Sequence, residues 1–399
     1  MFTIYHLSDL HLGTELIQTS KSIINGFSAH NERIWVAIRD HILGRIDNNK
    51  NEYIVVITGD LSQIGSIESF KLAQTLILKN DNSEISKKYG LQLDEKKLLI
   101  VPGNHDSYDK SYFFKNNLRT FNNIFFPTSD SEDIYPILKK IQVDGSSYIF
   151  MGIDSTYKKS AASLRKKFGK GIVTNSQLDQ LTGRLKEIGN NNFKIVCLHH
   201  CPIIVDCKRD RSLMLEKSQS LLSWICKNEI NVVLCGHLHD DFYDVLPLRQ
   251  LIKLLPKNGF RRIKMKLFKE TYLNDYSPIS IYGKKARYLD SIAYHYIKQS
   301  NLGLLDYEKN EFDSIHKFND YLHNRPEYKE FIKEFSSFDK KETGIMMAGT
   351  ACQENSNNNS YLEINIDNEN CKMQILRHKY NKESKSLISK TTEFKLNKV

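Results

Sequence analysis

Five short polar motifs occur in order along the chain: Ser8-Asp9-Leu10-His11, Gly59-Asp60, Gly103-Asn104-His105-Asp106, His199-His200 and Gly236-His237-Leu238-His239. They offer carboxylate, amide and imidazole donors and no thiolate, so together they could hold divalent cations and do hydrolytic chemistry with them. Side chains two apart on an extended segment point the same way, so Asp9 with His11, and His237 with His239, are each expected to converge as a pincer. Singly, each motif has a plainer reading. Asp-x-His recurs by chance, Gly-Asp is a common turn with a solvated carboxylate, Asn104-His105 are ordinary loop polars, and His199-His200 is a strand end. Their conjunction carries the weight, because independent chance matches, in order and all at strand ends, multiply to a small probability.

The motifs need elements to place them, and each follows a short apolar or β-branched run: Phe2 to His6, Tyr53 to Ile57, Leu98 to Val101, Lys194 to Leu198, and Ile230 to Leu234. Such runs read as buried strands of parallel type. Sites in open α/β sheets form beyond the carboxyl ends of the strands, where all five motifs fall, so one rim is expected to collect every ligand. Helices are expected between the strands, at about Ser20 to Ile46, Ile67 to Lys79, Ser176 to Glu187 and Ser212 to Lys227. After His239 the pattern changes to a stretch rich in Tyr, Lys and Phe, before strand-like sequence returns at Gly344 to Thr350. The expected organisation is a core over 1–240, an inserted, mainly helical basic module over 241–342 acting as cap or interaction surface, and C-terminal strands over 343–399 completing the core.

In this order and form the motifs resemble the calcineurin-like metallophosphoesterase superfamily, whose pattern is D-x-H, G-D, G-N-H-D/E, H and G-H-x-H. The resemblance covers about residues 1 to 240 and resumes at Met346 to Thr350 and Tyr361 to Asp367, which look like the family's closing hairpin. It implies an α/β fold in which a β-sandwich is flanked by helices in four layers, α/β/β/α, with the helical insertion after the last metal motif. The Ala348-Gly349-Thr350 segment and the motif set are closest to class III cyclic nucleotide phosphodiesterases. A second resemblance links His6-Leu7-Ser8-Asp9-Leu10-His11-Leu12-Gly13 to the opening of the superfamily's DNA-repair exonucleases.

Carried over by position, the resemblance implies one metal held by Asp9, His11 and His239, a second held by Asn104, His199 and His237, and Asp60 bridging them. It puts the ligand at the first histidine of the His199-His200 pair and turns the second away. The donor set suits Mn²⁺, Fe or Zn²⁺ and disfavours a structural zinc. Two such cations, roughly 3.5 to 4 Å apart, can share a hydroxide as nucleophile and clamp the phosphoryl oxygens. The implied catalytic residues are His105, as general acid or charge stabiliser, and Asp106, which could accept from the other imidazole nitrogen and set its tautomer.

Composition sets the remaining bounds. The 399 residues, 40% of them hydrophobic, suffice for one α/β core plus an insertion. Seven cysteines, without a C-x-x-C pair, argue against a disulfide framework and for a reducing, cytoplasmic location. The chain starts directly with a strand, lacks a secretory-type leader, and has no apolar run long enough for a membrane span. The net charge of +10 points to anionic partners, and basic residues gather between Lys158 and Lys170 and between Lys253 and Lys269. A solvated surface is the plain reading of both; a phosphate-guiding rim, a nucleic-acid contact or a membrane-surface helix are the functional ones. The expected function is therefore a metal-dependent phosphodiesterase acting on a nucleotide-type ester. A metal-dependent DNA or RNA nuclease is the alternative, followed by a catalytically weak scaffold or regulatory module whose insertion binds a protein partner.

Overall fold

A computed structural model describes residues 1–12, 32–49, 51–79, 83–107, 118–127, 134–156, 169–189, 192–202, 215–216, 218–239, 241–246, 343–351 and 356–395, with the isolated positions 324, 326 and 329. Two six-stranded sheets form the body. The first runs β14 (Ser386–Lys395), β13 (Lys372–Asn381), β12 (Ser360–Asp367), β1 (Phe2–Leu7), β2 (Glu52–Thr58) and β3 (Leu98–Val101). In the second the order is β10 (Phe242–Leu246), β11 (Thr343–Met347), β9 (Val232–Cys235), β7 (Phe193–Cys197), β5 (Ser146–Gly152) and β4 (Ile137–Val143). Short strands β6 (Gly171–Ile172) and β8 (Leu215–Glu216) make a third, two-stranded sheet. Strands β1, β2 and β3 are mutually parallel, as are β5, β7, β9 and β11, while β12, β13 and β14 in the first sheet and β10 and β4 in the second join by antiparallel pairing.

Burial on both faces explains the apolar runs. In the second sheet, Tyr148, Phe150, Phe193, Ile195, Cys197, Val232, Leu234 and Met346 join the core shared with the first sheet. Their alternates Ile149, Met151, Val196, Val233, Cys235, Ile345 and Met347 pack into a separate core with two helices, α5 (Asn175–Ile188) and α6 (Ser218–Lys227). This is the period-2 alternation of a strand covered on each side. Phe2 stacks on Tyr148 with ring centroids 4.4 Å apart, which fixes the two sheets face to face. Helix α1 (Glu32–Asn48) buries Ile34, Trp35, Ile38 and Ile42 as a stripe, and its Arg45 makes a bidentate pair, 2.6 and 2.8 Å, with the buried Glu363 of β12. The layers are thus α/β/β/α, as expected.

Helix α2 (Ile67–Ile77), which α3 (Glu84–Tyr89) and α4 (Leu118–Phe125) follow, begins at an N-cap, Ser66, and α5 at the capping box of Thr174 and Gln177, so local sequence sets both starts. The expected helix at Ser20 to Ile46 is observed from Glu32, the residues before it lying outside the described set. Two expectations change. Met346 to Thr350 and Tyr361 to Asp367 do not form a hairpin: β11 and β12 lie in different sheets, β11 beside β9 and β12 between β1 and β13. Local sequence identifies a strand without naming its partner, and here the chain crosses from one sheet to the other. The range 241–342 also begins in the core, because β10 is the edge strand of the second sheet and pairs antiparallel with β11, Leu246 opposite Thr343. Chain entering and leaving at 247–342 therefore does so from two paired positions, which leaves the sheet intact. Apart from the helical positions 324, 326 and 329, that range lies outside the described residues, as does the basic stretch Lys253 to Lys269.

Candidate metal centre

All five motifs sit at the carboxyl ends of β1, β2, β3, β7 and β9, three strands of one sheet and two of the other. Backbone hydrogen bonds lace the loops together. Asp9 N donates to Gly59 O (3.1 Å) and His11 N to Asp60 O (2.8 Å) on one side, and Gly236 N donates to His199 O (2.9 Å) on the other. The sides join where His237 N donates to Asp9 Oδ2 at 3.0 Å. Glycine is required at this contact, since a Cβ on Gly236 would strike the Ser8 hydroxyl and lie 2.7 Å from Asp9 Oδ2. Gly103 is constrained in the same way by the Asp60 carboxylate.

The Asp9/His11 pincer closes, but not by strand alternation, and the expected His237/His239 pincer does not form: His237 meets His199, whereas His239 meets His11 and Asp9. Asp9, His11, Asp60, His237 and His239 all lie past the strand ends in the left-handed region, with φ of 55°, 48°, 50°, 77° and 53°. Only ten described non-glycine residues have positive φ, so half of them are these donors. Such conformations cost energy and persist where the surroundings overdetermine them, as at ligand clamps.

Two groups of donors result. In the first, His11 Nε2 lies 2.9 Å from His239 Nε2, 3.8 Å from Asp9 Oδ1 and 3.7 Å from Asp60 Oδ2, with Asp9 Oδ1 to His239 Nε2 at 3.3 Å. The second centres on His199 Nε2, which is 3.0 Å from Asn104 Oδ1, 3.1 Å from His237 Nδ1 and 3.3 Å from Asp60 Oδ2. Asp60 Oδ2 therefore faces both groups, while Asp60 Oδ1 accepts from His105 N at 2.9 Å.

The donor sets fit cations on a proton count. His199 Nδ1 faces the Thr58 carbonyl (2.7 Å) and His237 Nε2 the Gly169 carbonyl (2.8 Å), so those nitrogens carry the hydrogens of the neutral rings. Their other nitrogens then point lone pairs at one another, beside two acceptor oxygens. Asp9 Oδ1 is buried and makes no hydrogen bond. With both rings neutral the converging electron pairs have no proton between them, and a cation is what satisfies them. Ionisation agrees. Burial would raise the Asp9 and Asp60 carboxyls, but neighbouring imidazoles, His239 for Asp9 and His199 for Asp60, hold both well below the usual range. Burial pushes His11 well down and His237 down to about 3, keeping them neutral. His199 differs: burial lowers it, yet the Asp60 carboxylate outweighs that and lifts it to about 9, a proton standing where a cation would.

His105 is half-buried, with its ring 4.6 Å from that of His11 in edge contact, and the partly exposed His239 meets the same His11 ring. The His105 Nδ1 lies 2.9 Å from the Gln63 carbonyl, so backbone sets its tautomer, where Asp106 was expected to do so. The Asp106 carboxylate is buried and accepts from Leu61 N, Ser62 N, Ser62 Oγ and Gly103 N at 3.2, 2.9, 2.8 and 2.9 Å. It pins the loop carrying Asp60 to the loop carrying Asn104. Burial, with the Asp60 charge nearby, raises it to about 6. The expectation that His200 turns away also changes: it is buried, its ring centroid is 4.4 Å from that of His237, and a ring nitrogen lies within 4.8 Å of those of His199 and His237. Its Nδ1 contacts Ser155 Oγ at 2.9 Å, because that hydroxyl also accepts the His200 N–H and draws the ring inward. The residues unforeseen as supports are Thr58, Gln63 and Gly169, which act through main-chain carbonyls that carry no sequence signal, and Ser155, whose signal is its place after Ile153-Asp154.

Of the basic stretch Lys158 to Lys170, the described part is Lys170, whose Nζ lies 3.4 Å from Glu216 Oε1; residues 157–168 lie outside the described set. Cys197 and Cys235 are buried strand residues, their thiols pushed up by burial. Among the described residues no helix is long and apolar enough to cross a membrane.

Comparison with known proteins follows this geometry. The calcineurin-like phosphoesterase family matches residues 2–241. A curated relative from Vesicomyosocius okutanii subsp. Calyptogena okutanii (strain HA), named "Probable cyclic nucleotide phosphodiesterase", is 29% identical over 202 residues. That match takes in 50% of this chain and 66% of the relative, just under two thirds of its length. Similar solved structures include a dimetal phosphatase from Danio rerio, at 12% identity and a TM-score of 0.48 over 97% of this chain and 98% of that one. Another is a purple acid phosphatase from yellow lupin seeds, at 9% identity and 0.48 over 99% and 54%.

Proposed function

The chain belongs to the calcineurin-like phosphoesterase family, and from that premise we propose that it is a metal-dependent phosphoric ester hydrolase that cleaves phosphodiester bonds of a nucleotide-type substrate. Support for the diester comes from the phosphodiesterase name of the curated relative. One observation carries the two-ion arrangement: Asp60 Oδ2 stands 3.7 Å from His11 Nε2 and 3.3 Å from His199 Nε2, so a single oxygen serves both donor groups. In this reading Asp9, His11 and His239 hold one ion, Asn104, His199 and His237 the other, and Asp60 belongs to both. Two divalent ions of the Mn²⁺, Fe or Zn²⁺ kind, once bound, supply Lewis acidity toward the phosphoryl oxygens and a nucleophilic water.

The chain's own residues do the rest. Asp9 and Asp60 bring fixed negative charge to a buried site. His199 and His237 are locked by backbone carbonyls into the tautomers that face the second ion. His105 donates its Nδ1 hydrogen to Gln63 O, so Nε2 is the nitrogen left for the substrate, and as imidazolium the ring would give the Nε2 proton to the departing oxygen. Asp106 acts as a positioning residue, keeping the Asp60 and Asn104 loops in register. We read 247–342 as an inserted module and 343–395 as part of the core.

The test is hydrolysis of bis(p-nitrophenyl) phosphate beside p-nitrophenyl phosphate with added Mn²⁺. Diester turnover that chelation abolishes and Mn²⁺ restores is expected, followed by cleavage of cyclic nucleotides in preference to oligonucleotides. Turnover confined to the monoester would overturn the diester reading, and preference for oligonucleotides would replace the small substrate by nucleic acid.

A further inference from the structure

The family match ends at residue 241, yet the donor group around Asp9 leans on a residue far beyond it. Thr350 is fully buried, and its hydroxyl donates to the Asp9 main-chain carbonyl at 2.9 Å across 341 residues of sequence. A parallel backbone bridge pairs Ser8 with Thr350, and Ser360 N donates to Thr350 O at 3.0 Å, tying the contact to β12. On the other side, Ala348 N donates to Cys235 O at 3.2 Å, beside Gly236, the residue wedged against Ser8 and Asp9. The segment 348–351 therefore sits between the loop that carries Asp9 and the loop that carries His237 and His239.

Asp9 needs that support for a specific reason. Its φ of 55° is unfavourable for a residue with a side chain, and its carbonyl is turned into the interior, where an unmatched acceptor is costly. The Thr350 hydroxyl meets that acceptor, and the kink it stabilises directs Oδ1 to His239 and His11 while Oδ2 takes the His237 N–H. We infer that Thr350 is a positioning residue for the first metal ion: its hydroxyl holds the Asp9 backbone kink, so the ion held by Asp9, His11 and His239 depends on the C-terminal segment. The inference rests on the two-ion reading of the site.

The test is a Mn²⁺ titration of the metal-free full chain, comparing wild type with Thr350→Val, which keeps the shape and removes the hydroxyl, and Thr350→Ser, which restores it. His11→Ala identifies which binding step belongs to the first ion. Loss of an outer partner of a metal ligand typically costs about 10- to 100-fold in affinity. Thr350→Val should weaken the first ion by about that factor and leave the second unchanged, and Thr350→Ser should bind as wild type. If the valine protein does not fold, Thr350→Ala against Thr350→Ser gives the same comparison. Equal binding in the variants with and without the hydroxyl, equal weakening of both ions, or failure of serine to rescue would each overturn the inference. Wild type binding fewer than two ions would instead overturn the reading on which it rests.

Discussion

Asp60→Ala is expected to take phosphoester hydrolysis to the uncatalysed background and to lower the bound metal from two ions per chain to at most one. The loss is this large because the one carboxylate serves both donor groups. Its Oδ2 faces His11 and His199, and its Oδ1 accepts the His105 main-chain N–H that orders the neighbouring loop. Alanine also removes the carboxylate that raises His199 and leaves that buried imidazole without its nearest anion. Metal content by mass spectrometry under native conditions and turnover of the diester are the two readouts. A variant that keeps two ions and more than a small fraction of the rate would show that Asp60 is not shared.

His105→Ala has the second-largest expected effect and a different signature: both ions stay bound while the rate falls by about two to four orders of magnitude. The residue stands beside His11, and its Nδ1 is held by Gln63 O. Its contribution should scale with how badly the leaving oxygen needs a proton. The loss should be smallest for p-nitrophenolate, a stable anion, and largest for an alkoxide such as a ribose oxygen. Equal losses on both leaving groups would make His105 a charge stabiliser rather than an acid, and loss of metal would make it structural.

The residues that the structure gathers into the two donor groups, His200 apart, could be named from the sequence, because the residue types and their places after apolar runs depend on local chemistry. The way they converge was not legible there. Strand alternation predicts the Asp9/His11 and His237/His239 pincers, whereas in the structure His237 and His239 serve different donor groups and all four are left-handed residues beyond the strand ends, a backbone state that sequence does not announce for aspartate or histidine. Asp106 was read as a partner of His105 from adjacency alone; its oxygens are taken by the N–H groups of the Asp60 loop and of Gly103, contacts that exist only once β2 and β3 lie side by side. His200 was turned away by analogy, and the Ser155 hydroxyl brings it back. Fold followed the same divide. Helices α2 and α5 were visible through their periodicity, and the buried strands through their apolar runs. The pairing of β11 with β9 and of β12 with β1 was not visible, since partner choice across hundreds of residues is decided by the assembled sheets.

The most direct measurement is anomalous diffraction at the manganese edge from crystals of the full chain grown with Mn²⁺. Two peaks about 3.5 to 4 Å apart, with the Asp60 carboxylate between them, His11 and His239 on one and His199 and His237 on the other, are the predicted result. A single peak, or an ion held by His199, His200 and His237 with Asp60 bound to neither side, would contradict the two-ion centre.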